Sequence, residues 1–269
     1  MNAWSPLAFP GPAVGGETRP QLGHNLTFGL LHAIGGAIAA GHYDGKPFPP
    51  EAELAEQYGT SLSVTREAVK MLTAKGLLAS RPRQGTFILP VSHWSLLDTD
   101  VLRWLLQQRQ SAEVLRQFNQ LRIAIEPAAA EFAARFAWPR DVHRISGAFE
   151  AIRRSKRHQE DPLDAQIAFH CEILEASRNP FYKQFQAAVG TALRISSRVR
   201  GAGRATAPDI PAYAAVHGAI ASGDWAAARE SMRGIVAAAP GFLDESGRQT
   251  EGAAARSCHA SAGAAWISL

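Results

Sequence analysis

The sequence predicts a mainly α-helical protein of two domains, and three observations carry that prediction. A chain of 269 residues exceeds the usual size of one domain. Residues 48–89 hold two short amphipathic segments with a Gly-containing break between them, followed by a Gly-tipped hairpin pattern. Residues 94–239 show the apolar spacing typical of helices. We therefore expect a winged helix-turn-helix at residues 25–90 and an all-α helical bundle at residues 94–239.

Both ends of the chain have the composition of disordered segments. Residues 1–24 are rich in Gly and Pro, and residues 240–269 are rich in Gly, Ala and Ser. The N-terminus has no basic stretch followed by an unbroken apolar core, so a signal peptide is not expected. No window reaches the roughly 18 apolar residues of a membrane span. We therefore expect a soluble protein, and because Cys171 and Cys258 show no disulfide or zinc-binding pattern, we expect a reduced, cytoplasmic setting.

The first two helices are expected on either side of a Pro-containing loop. Apolar spacing predicts a helix at residues 25–40, with Asn25 as its N-terminal cap and Gly41 at its end. A second helix is expected at Glu51–Tyr58. Gly59 then permits a sharp turn into the next helix.

The third helix has the position of a DNA-recognition helix. Ser61 or Ser63 is placed to cap it. In helix-turn-helix proteins, the N-terminal residues of this helix reach base edges, while hydroxyls and backbone N–H groups hold phosphates. The side chains that we expect to point outward and contact DNA are Ser61, Ser63, Thr65 and Arg66. Arg66 is the strongest candidate for a guanine or phosphate contact.

Two short strands, at residues 77–78 and 86–88, are expected to form the wing. A Gly at the tip lets the backbone approach DNA closely, and flanking arginines suit a narrow minor groove. The wing residues predicted to contact DNA are Arg81, Arg83, Gln84 and Gly85. The alternative for Gly85 is an ordinary hairpin turn without a part in binding.

Charge distribution supports the same interpretation. The formal net charge of the whole chain is only +4. Within residues 61–85, however, five Lys or Arg residues stand against Glu67 alone. A cationic surface confined to the third helix and the hairpin would attract phosphates. The alternative is a solvated charge run with no partner.

The rest of the chain is expected to be helical. An amphipathic helix with Asp98 or Thr99 as its cap should follow a short linker at residues 90–93. Further helices are predicted at residues 111–136, 139–158, 161–177, 180–200, 207–222 and 224–238.

The N-terminal motif resembles a known family. FPPEAELAEQYGTS, TREAVKMLTAKGLL and RQGTFI, within residues 25–90, are similar to the DNA-binding domain of GntR-family bacterial transcription regulators. Arg66, Glu67 and Gly85 match the family pattern. Ala52 and Leu62 stand where family members commonly carry Arg. The resemblance therefore implies operator contacts that are fewer or displaced.

The C-terminal half resembles the FCD type of effector and dimerisation domain of the FadR subfamily. LRIAIEPAAAEFAARFA, QIAFHCEILEASRNPFY and YAAVHGAIASGDWAAARESM carry this resemblance. SHWSLLDTDVLRW is further similar to the subgroup of galactonate-type and other sugar-acid regulators. The resemblance implies a homodimeric, ligand-responsive repressor of catabolic genes. Its partners would be double-stranded operator DNA and a small anionic effector.

Many FCD domains hold a divalent metal with one Asp and three His, and the resemblance places three other residue types at those positions here. His170 matches the first His, whereas Gln166, Tyr213 and Ile235 replace the other ligands. One imidazole does not make a zinc or nickel site. The helical phase of Asp164 turns it away from Gln166. We therefore expect no metal cofactor.

The same resemblance suggests a polar effector cavity. Arg122 stands at the position of the family's effector-side arginine and would bind a carboxylate bidentately. The other candidates are polar or cationic residues on the later helices, namely Gln166, His170, Asn179, Arg194, Arg198, Tyr213 and His217. Alternatives remain: Arg122 pairs with Glu126 one turn away, His170 is a satisfied core residue, or Asn179 caps a helix.

Catalysis is not expected. The sequence has no GxGxxG or GxxxxGK[ST] loop, and its Ser and His residues follow no catalytic signature. Two other functions remain open besides a ligand-responsive regulator. One is a DNA-binding dimer with a degenerate effector site that does not respond to ligand. The other is a helical metal-dependent enzyme fused to a DNA reader.

Overall fold

The computed structural model describes residues 26–82, 85–108, 111–158, 161–199 and 208–239. The chain divides into two compact units, Met1–Gln108 and Arg109–Leu269, called here the N-terminal unit and the helical unit. The disordered segments expected at residues 1–24 and 240–269, and the cap expected at Asn25, lie outside the described residues.

The N-terminal unit is a winged helix-turn-helix, as predicted. Its elements are the helices α1 (Leu26–Ala39), α2 (Glu51–Tyr58) and α3 (Leu62–Ala74), the strands β1 (Leu78–Arg81) and β2 (Gly85–Ile88), and the helix α4 (Thr99–Leu106). Gly59 adopts the left-handed conformation, with φ +64°, that the turn between α2 and α3 requires. The strands pair antiparallel, with Leu78 opposite Ile88 and Arg81 opposite Gly85.

The helix α4 belongs to the N-terminal unit. Its Trp104 is buried, and a side chain at Gly35 of α1 would overlap the Trp104 ring. At the C-terminus of α3, Lys75 Nζ lies 2.7 Å from Asp98 Oδ2 and 3.0 Å from Asp100 Oδ2. These contacts place the boundary between the units after Gln108. It had been expected at residues 90–93, because the linker pattern there marks a break in secondary structure and carries no information about packing.

The helical unit is all-α in the residues that the structure describes. Its helices are α5 (Ser111–Phe136), α6 (Pro139–His158), α7 (Leu163–Ala176), α8 (Pro180–Gln184), α9 (Gln186–Val199), α10 (Ile210–Ser222) and α11 (Trp225–Ala237). The single helix expected at residues 180–200 is divided at Phe185. Phe185 is buried, and its ring stacks on Phe118 of α5 with 5.4 Å between centroids.

The interior of the helical unit is mainly apolar, and one cluster of charged and polar side chains is buried within it. The helix α5 packs against α7 and α11, and α7 packs against α6. Phe169 of α7, Val189 of α9 and Val216 of α10 are fully buried. Asn119, Arg122, Glu126 and His170 are buried as well. Within the described ranges, every helix is too short or too polar to cross a membrane.

Candidate DNA-reading surface and effector site

The helix α3 presents a polar face with one leucine in it. Its cap is Ser61, whose Oγ accepts a hydrogen bond of 3.3 Å from the backbone N–H of Val64. On the opposite side, the helix buries Ala68, Val69 and Leu72 against the core. Between Ser61 and Lys70, the exposed positions are Ser61, Leu62, Ser63, Arg66, Glu67 and Lys70. The predicted DNA-contacting residues Ser61, Ser63 and Arg66 thus lie on one accessible surface.

Thr65 was expected on that surface, and this expectation was wrong. Its side chain is fully buried. The hydroxyl lies 3.0 Å from Thr60 Oγ1 and donates to the carbonyl oxygen of Ser61 at 3.2 Å. The rotation of about 100° per residue puts Thr65 on the same side as the buried Ala68 and Val69. The Thr65 side chain therefore faces the interior and links the recognition helix to the turn that precedes it.

Arg66 is held by a residue of another helix. Its Nε donates a 3.3 Å hydrogen bond to Glu51 Oε2, while 55% of the Arg66 side chain stays exposed. Glu51 is the first residue of α2 and orients the guanidinium at the surface. Sequence reasoning missed this role because the residues are 15 positions apart, and only their opposite charges hinted at a pair.

The two strands of the wing pair up to Arg81 and Gly85. Gly85 has φ +81°, which disfavours other residues at this position. Arg81 lies opposite Gly85, and its guanidinium lies 4.9 Å from the centroid of the Phe87 ring. The conformation of Gly85 agrees with the hairpin alternative. Its predicted DNA contact and that of Arg81 remain predictions, and the predicted sites Arg83 and Gln84 lie outside the described residues.

In the helical unit, three ionisable side chains form a buried network. Arg122 Nε donates to Glu126 Oε1 at 2.6 Å, and His170 Nδ1 donates to Glu126 Oε2 at 2.5 Å. The side chains of Arg122, Glu126 and His170 are at most 3% exposed. Burial by itself would raise the pKa of Glu126, but Arg122 and His170 together lower it to about 2. Glu126 is therefore the ionised centre that joins α5 to α7.

Arg122 retains donors for a further partner. A guanidinium has five N–H donors. Arg122 uses Nε and Nη2 on Glu126 and Nη1 on Asn119 Oδ1, at 2.6, 3.5 and 3.3 Å. Among the described residues these contacts occupy three donors. The pair with Glu126 confirms the structural alternative for Arg122, and two of its N–H groups make no hydrogen bond to the described residues. Asn119 was not predicted, although its spacing of three residues from Arg122 places it on the same helix face.

Tyr213 lies close to this network, and Gln166 shares a helix face with His170. The Tyr213 ring is 93% buried, and its centroid is 6.1 Å from that of His170 and 5.2 Å from that of Phe169. Burial raises the pKa of the Tyr213 hydroxyl, so the group is neutral near pH 7 and can donate a hydrogen bond. Gln166 is half-buried on α7, one turn before His170. Side chains of α5, α7 and α10 thus converge.

Two other predicted effector residues contact different parts of the unit. His217 Nε2 lies 2.8 Å from Ser146 Oγ, and its ring stacks on Phe149 of α6 at 5.1 Å. Arg194 pairs with Asp164 at the surface, where half of the arginine side chain is exposed. His217 and Arg194 therefore do not share one cavity with Arg122, although a shared cavity had been expected. Each of them contacts the helix against which its own helix face packs. The side chain of Arg198 lies outside the described residues.

Asn179 is a helix cap. Its Oδ1 accepts a 2.9 Å hydrogen bond from the backbone N–H of Phe181. It also lines a surface cleft of about 460 Å³ whose charged walls include Arg144 and Lys183, with no residue of the buried network in its lining. This confirms the capping alternative and contradicts a place for Asn179 in the cavity.

The residues near His170 do not fit a divalent metal. Glu126 already accepts the hydrogen bond of His170 Nδ1. Gln166 and Tyr213 are neutral, and Ile235 has no donor atom. Within the described ranges, no three His, Cys, Asp or Glu side chains are grouped to hold an ion. The expectation of a metal-free protein remains a prediction.

Comparison with known proteins agrees with this arrangement. Residues 31–88 match the bacterial regulatory proteins of the gntR family, and residues 117–238 match the FCD domain. The galactonate operon transcriptional repressor of Escherichia coli (strain K12) is 30% identical over 224 residues, which cover 82% of this chain and 98% of that protein.

Two more proteins show the range of similarity. An uncharacterised helix-turn-helix-type transcriptional regulator of Escherichia coli (strain K12), YieP, is 35% identical over 165 residues, which cover 60% of this chain and 71% of its own length. The solved structure of Streptococcus agalactiae GntR is 20% identical, covers 78% of this chain and 97% of its own, and has a TM-score of 0.45.

Proposed function

The chain belongs to the GntR family of bacterial regulatory proteins and carries an FCD domain. From this premise we propose that it is a homodimeric repressor of catabolic genes, and that a small carboxylate or sugar acid releases the repressor from its operator DNA. Membership makes it a DNA-binding transcription regulator and not an enzyme. The proposal adds the class of effector, the dimer and the direction of the response.

The observation that carries the effector class is the buried network around Glu126. Burying charged side chains costs free energy because they lose their hydration, and apolar residues of similar volume often make a protein as stable as a buried ion pair does. Arg122 nevertheless keeps two N–H donors beyond its contacts with Asn119 and Glu126. Tyr213 and Gln166 offer groups that can bond to hydroxyls. This combination suits a ligand with one carboxylate and nearby hydroxyls.

Two winged helices in a dimer would enter successive major-groove half-sites of a short palindrome, as two-fold symmetry requires. An effector among the helices of the helical unit would favour one arrangement of the dimer over the other. Such a ligand changes operator affinity by its differential affinity for the two states. We propose that the effector weakens operator binding.

The test is a ligand screen on the full chain. Galactonate and other aldonates come first, since one relative is named a galactonate operon repressor, followed by uronates and simple carboxylates. An effector at about 100 times its dissociation constant should stabilise the protein by roughly 2.7 kcal/mol, seen as a higher melting temperature. It should also release a DNA fragment that the protein has selected from a random pool. An effector that tightens DNA binding would contradict the proposed direction.

A matched pair of variants locates the ligand. Tyr213→Phe removes one hydroxyl at the network and should weaken binding of the effector about fivefold, the effect of losing one hydrogen bond. Tyr182→Phe makes the same change on α8, where the Tyr182 ring stacks on Phe132, and should leave the affinity unchanged. Equal effects of the two variants would argue against the network as the effector site.

The second candidate is a DNA-binding dimer that does not respond to ligand. It is favoured by the pairing of Arg122 with Glu126, which already gives the guanidinium a counter-ion. The same screen separates the two functions. If no aldonate, uronate or carboxylate raises the melting temperature or releases the DNA, the non-responding dimer is the better account.

A further inference from the structure

The recognition helix begins with an apolar side chain that faces away from the core. Leu62 is the first residue of α3 and follows the Ser61 cap. It is 44% exposed, although the core of the N-terminal unit leaves residues such as Leu54 and Leu72 fully buried. Leu62 is therefore not part of the buried core of the N-terminal unit.

The neighbours of Leu62 define the surface that it belongs to. Arg66 is four residues later and shares its helix face. Ser63, Glu67 and Lys70 are exposed beside them. Leu62 is thus an exposed apolar side chain at the N-terminal end of a polar and cationic surface. In helix-turn-helix proteins, this end of the recognition helix contacts base edges.

The chemistry of the major groove limits what a leucine can recognise there. Each base pair presents hydrogen-bond donors and acceptors, which an aliphatic side chain cannot use. The apolar group in the groove is the C5-methyl of thymine. We propose that Leu62 reads a thymine methyl and so determines part of the operator sequence, while Arg66 supplies the polar contact. The inference rests on DNA binding by the N-terminal unit and is independent of the effector.

The experiment removes the methyl group alone. The full-length protein first selects its preferred site from a random double-stranded pool. Each thymine of that site is then replaced by deoxyuridine, one position at a time. One replacement in a half-site should weaken binding about fourfold, the effect of losing one buried methyl-sized group. In Leu62→Ala the same replacement should have no effect, because the contacting side chain is missing.

Leu97→Ala is the matched control. Leu97 is 53% exposed in the same unit but lies outside α3, so this variant should keep the full response to deoxyuridine. Leu62→Arg, selected from the same pool, should prefer guanine at the sensitive position. The proposal is overturned if the selected site holds no thymine whose methyl affects wild-type binding. It is equally overturned if Leu62→Ala retains the same loss.

Discussion

The recognition helix and the buried network of the helical unit place their charges in opposite ways. On the recognition helix, Arg66 and Lys70 have side chains that are 55% and 67% exposed. In the helical unit, Arg122, Glu126 and His170 are at most 3% exposed. Charges that meet a large polyanion have to stay at the surface. Charges enclosed in a helical bundle can reach only a small ligand or each other.

This contrast separates two consequences of mutation. Exposed ion pairs contribute little to folding, so changes on the recognition helix should alter DNA binding and leave stability nearly unchanged. A buried pair leaves an uncompensated charge when one partner is removed, so changes in the network should alter stability most. Each of the following variants tests one side of the contrast.

The largest effect is expected from Glu126→Ala. The substitution leaves Arg122 buried without its counter-ion, and the free energy of unfolding should fall by about 3–5 kcal/mol. Urea unfolding of the full chain, followed by circular dichroism, measures it. Glu113→Ala on the same helix removes the exposed partner of Arg116 and should change stability by less than about 1 kcal/mol. Similar losses in the two variants would remove the distinction between buried and exposed charges.

Acid should weaken the same network. The pKa of Glu126 is lowered from 4.5 to about 2 in the folded chain. A carboxyl with a depressed pKa stabilises the fold fully above its unfolded pKa, and this contribution is lost as the pH falls toward the folded value. The stability difference between the wild type and Glu126→Gln should therefore shrink from pH 6 to pH 3. A constant difference over that range would contradict an ionised Glu126.

On the exposed side, Arg66→Ala should weaken binding to the selected DNA by about 1–3 kcal/mol, roughly 5- to 150-fold. The free energy of unfolding should stay within about 0.5 kcal/mol of the wild type, because the side chain is largely exposed. Fluorescence anisotropy at a fixed, moderate salt concentration measures the affinity. Arg153→Ala, at an exposed arginine of the helical unit, is the control. Unchanged operator binding by Arg66→Ala would mean that the recognition helix is wrongly assigned.

The smallest effect is expected from Asn179→Ala. Loss of the cap of α8 should lower the free energy of unfolding by about 1 kcal/mol. Because Asn179 lines a surface cleft away from the buried network, the affinity for an effector found in the screen should not change. Isothermal titration of the variant tests this expectation. A lower affinity for the effector would show that Asn179 belongs to the ligand site.

Much of the fold was predictable because helices and turns depend on local residues. The bounds Glu51–Tyr58, Ser111–Phe136 and Pro139–His158 agree with the apolar spacing and the Pro and Gly positions. The outward orientation predicted for Thr65 was wrong, because a threonine suits both an exposed and a buried position. Phase relative to the neighbouring buried residues decided it.

The sequence by itself determined the helices, the order of a winged helix-turn-helix before a bundle, and the residue types available for binding. Only the tertiary structure decided which of them meet. Arg66 contacts Glu51 across 15 residues, and Glu126 contacts His170 across 44. It also assigned α4 to the N-terminal unit through Trp104. Local periodicity fixes which face of a helix is apolar, but contacts between distant side chains exist only after the helices have packed.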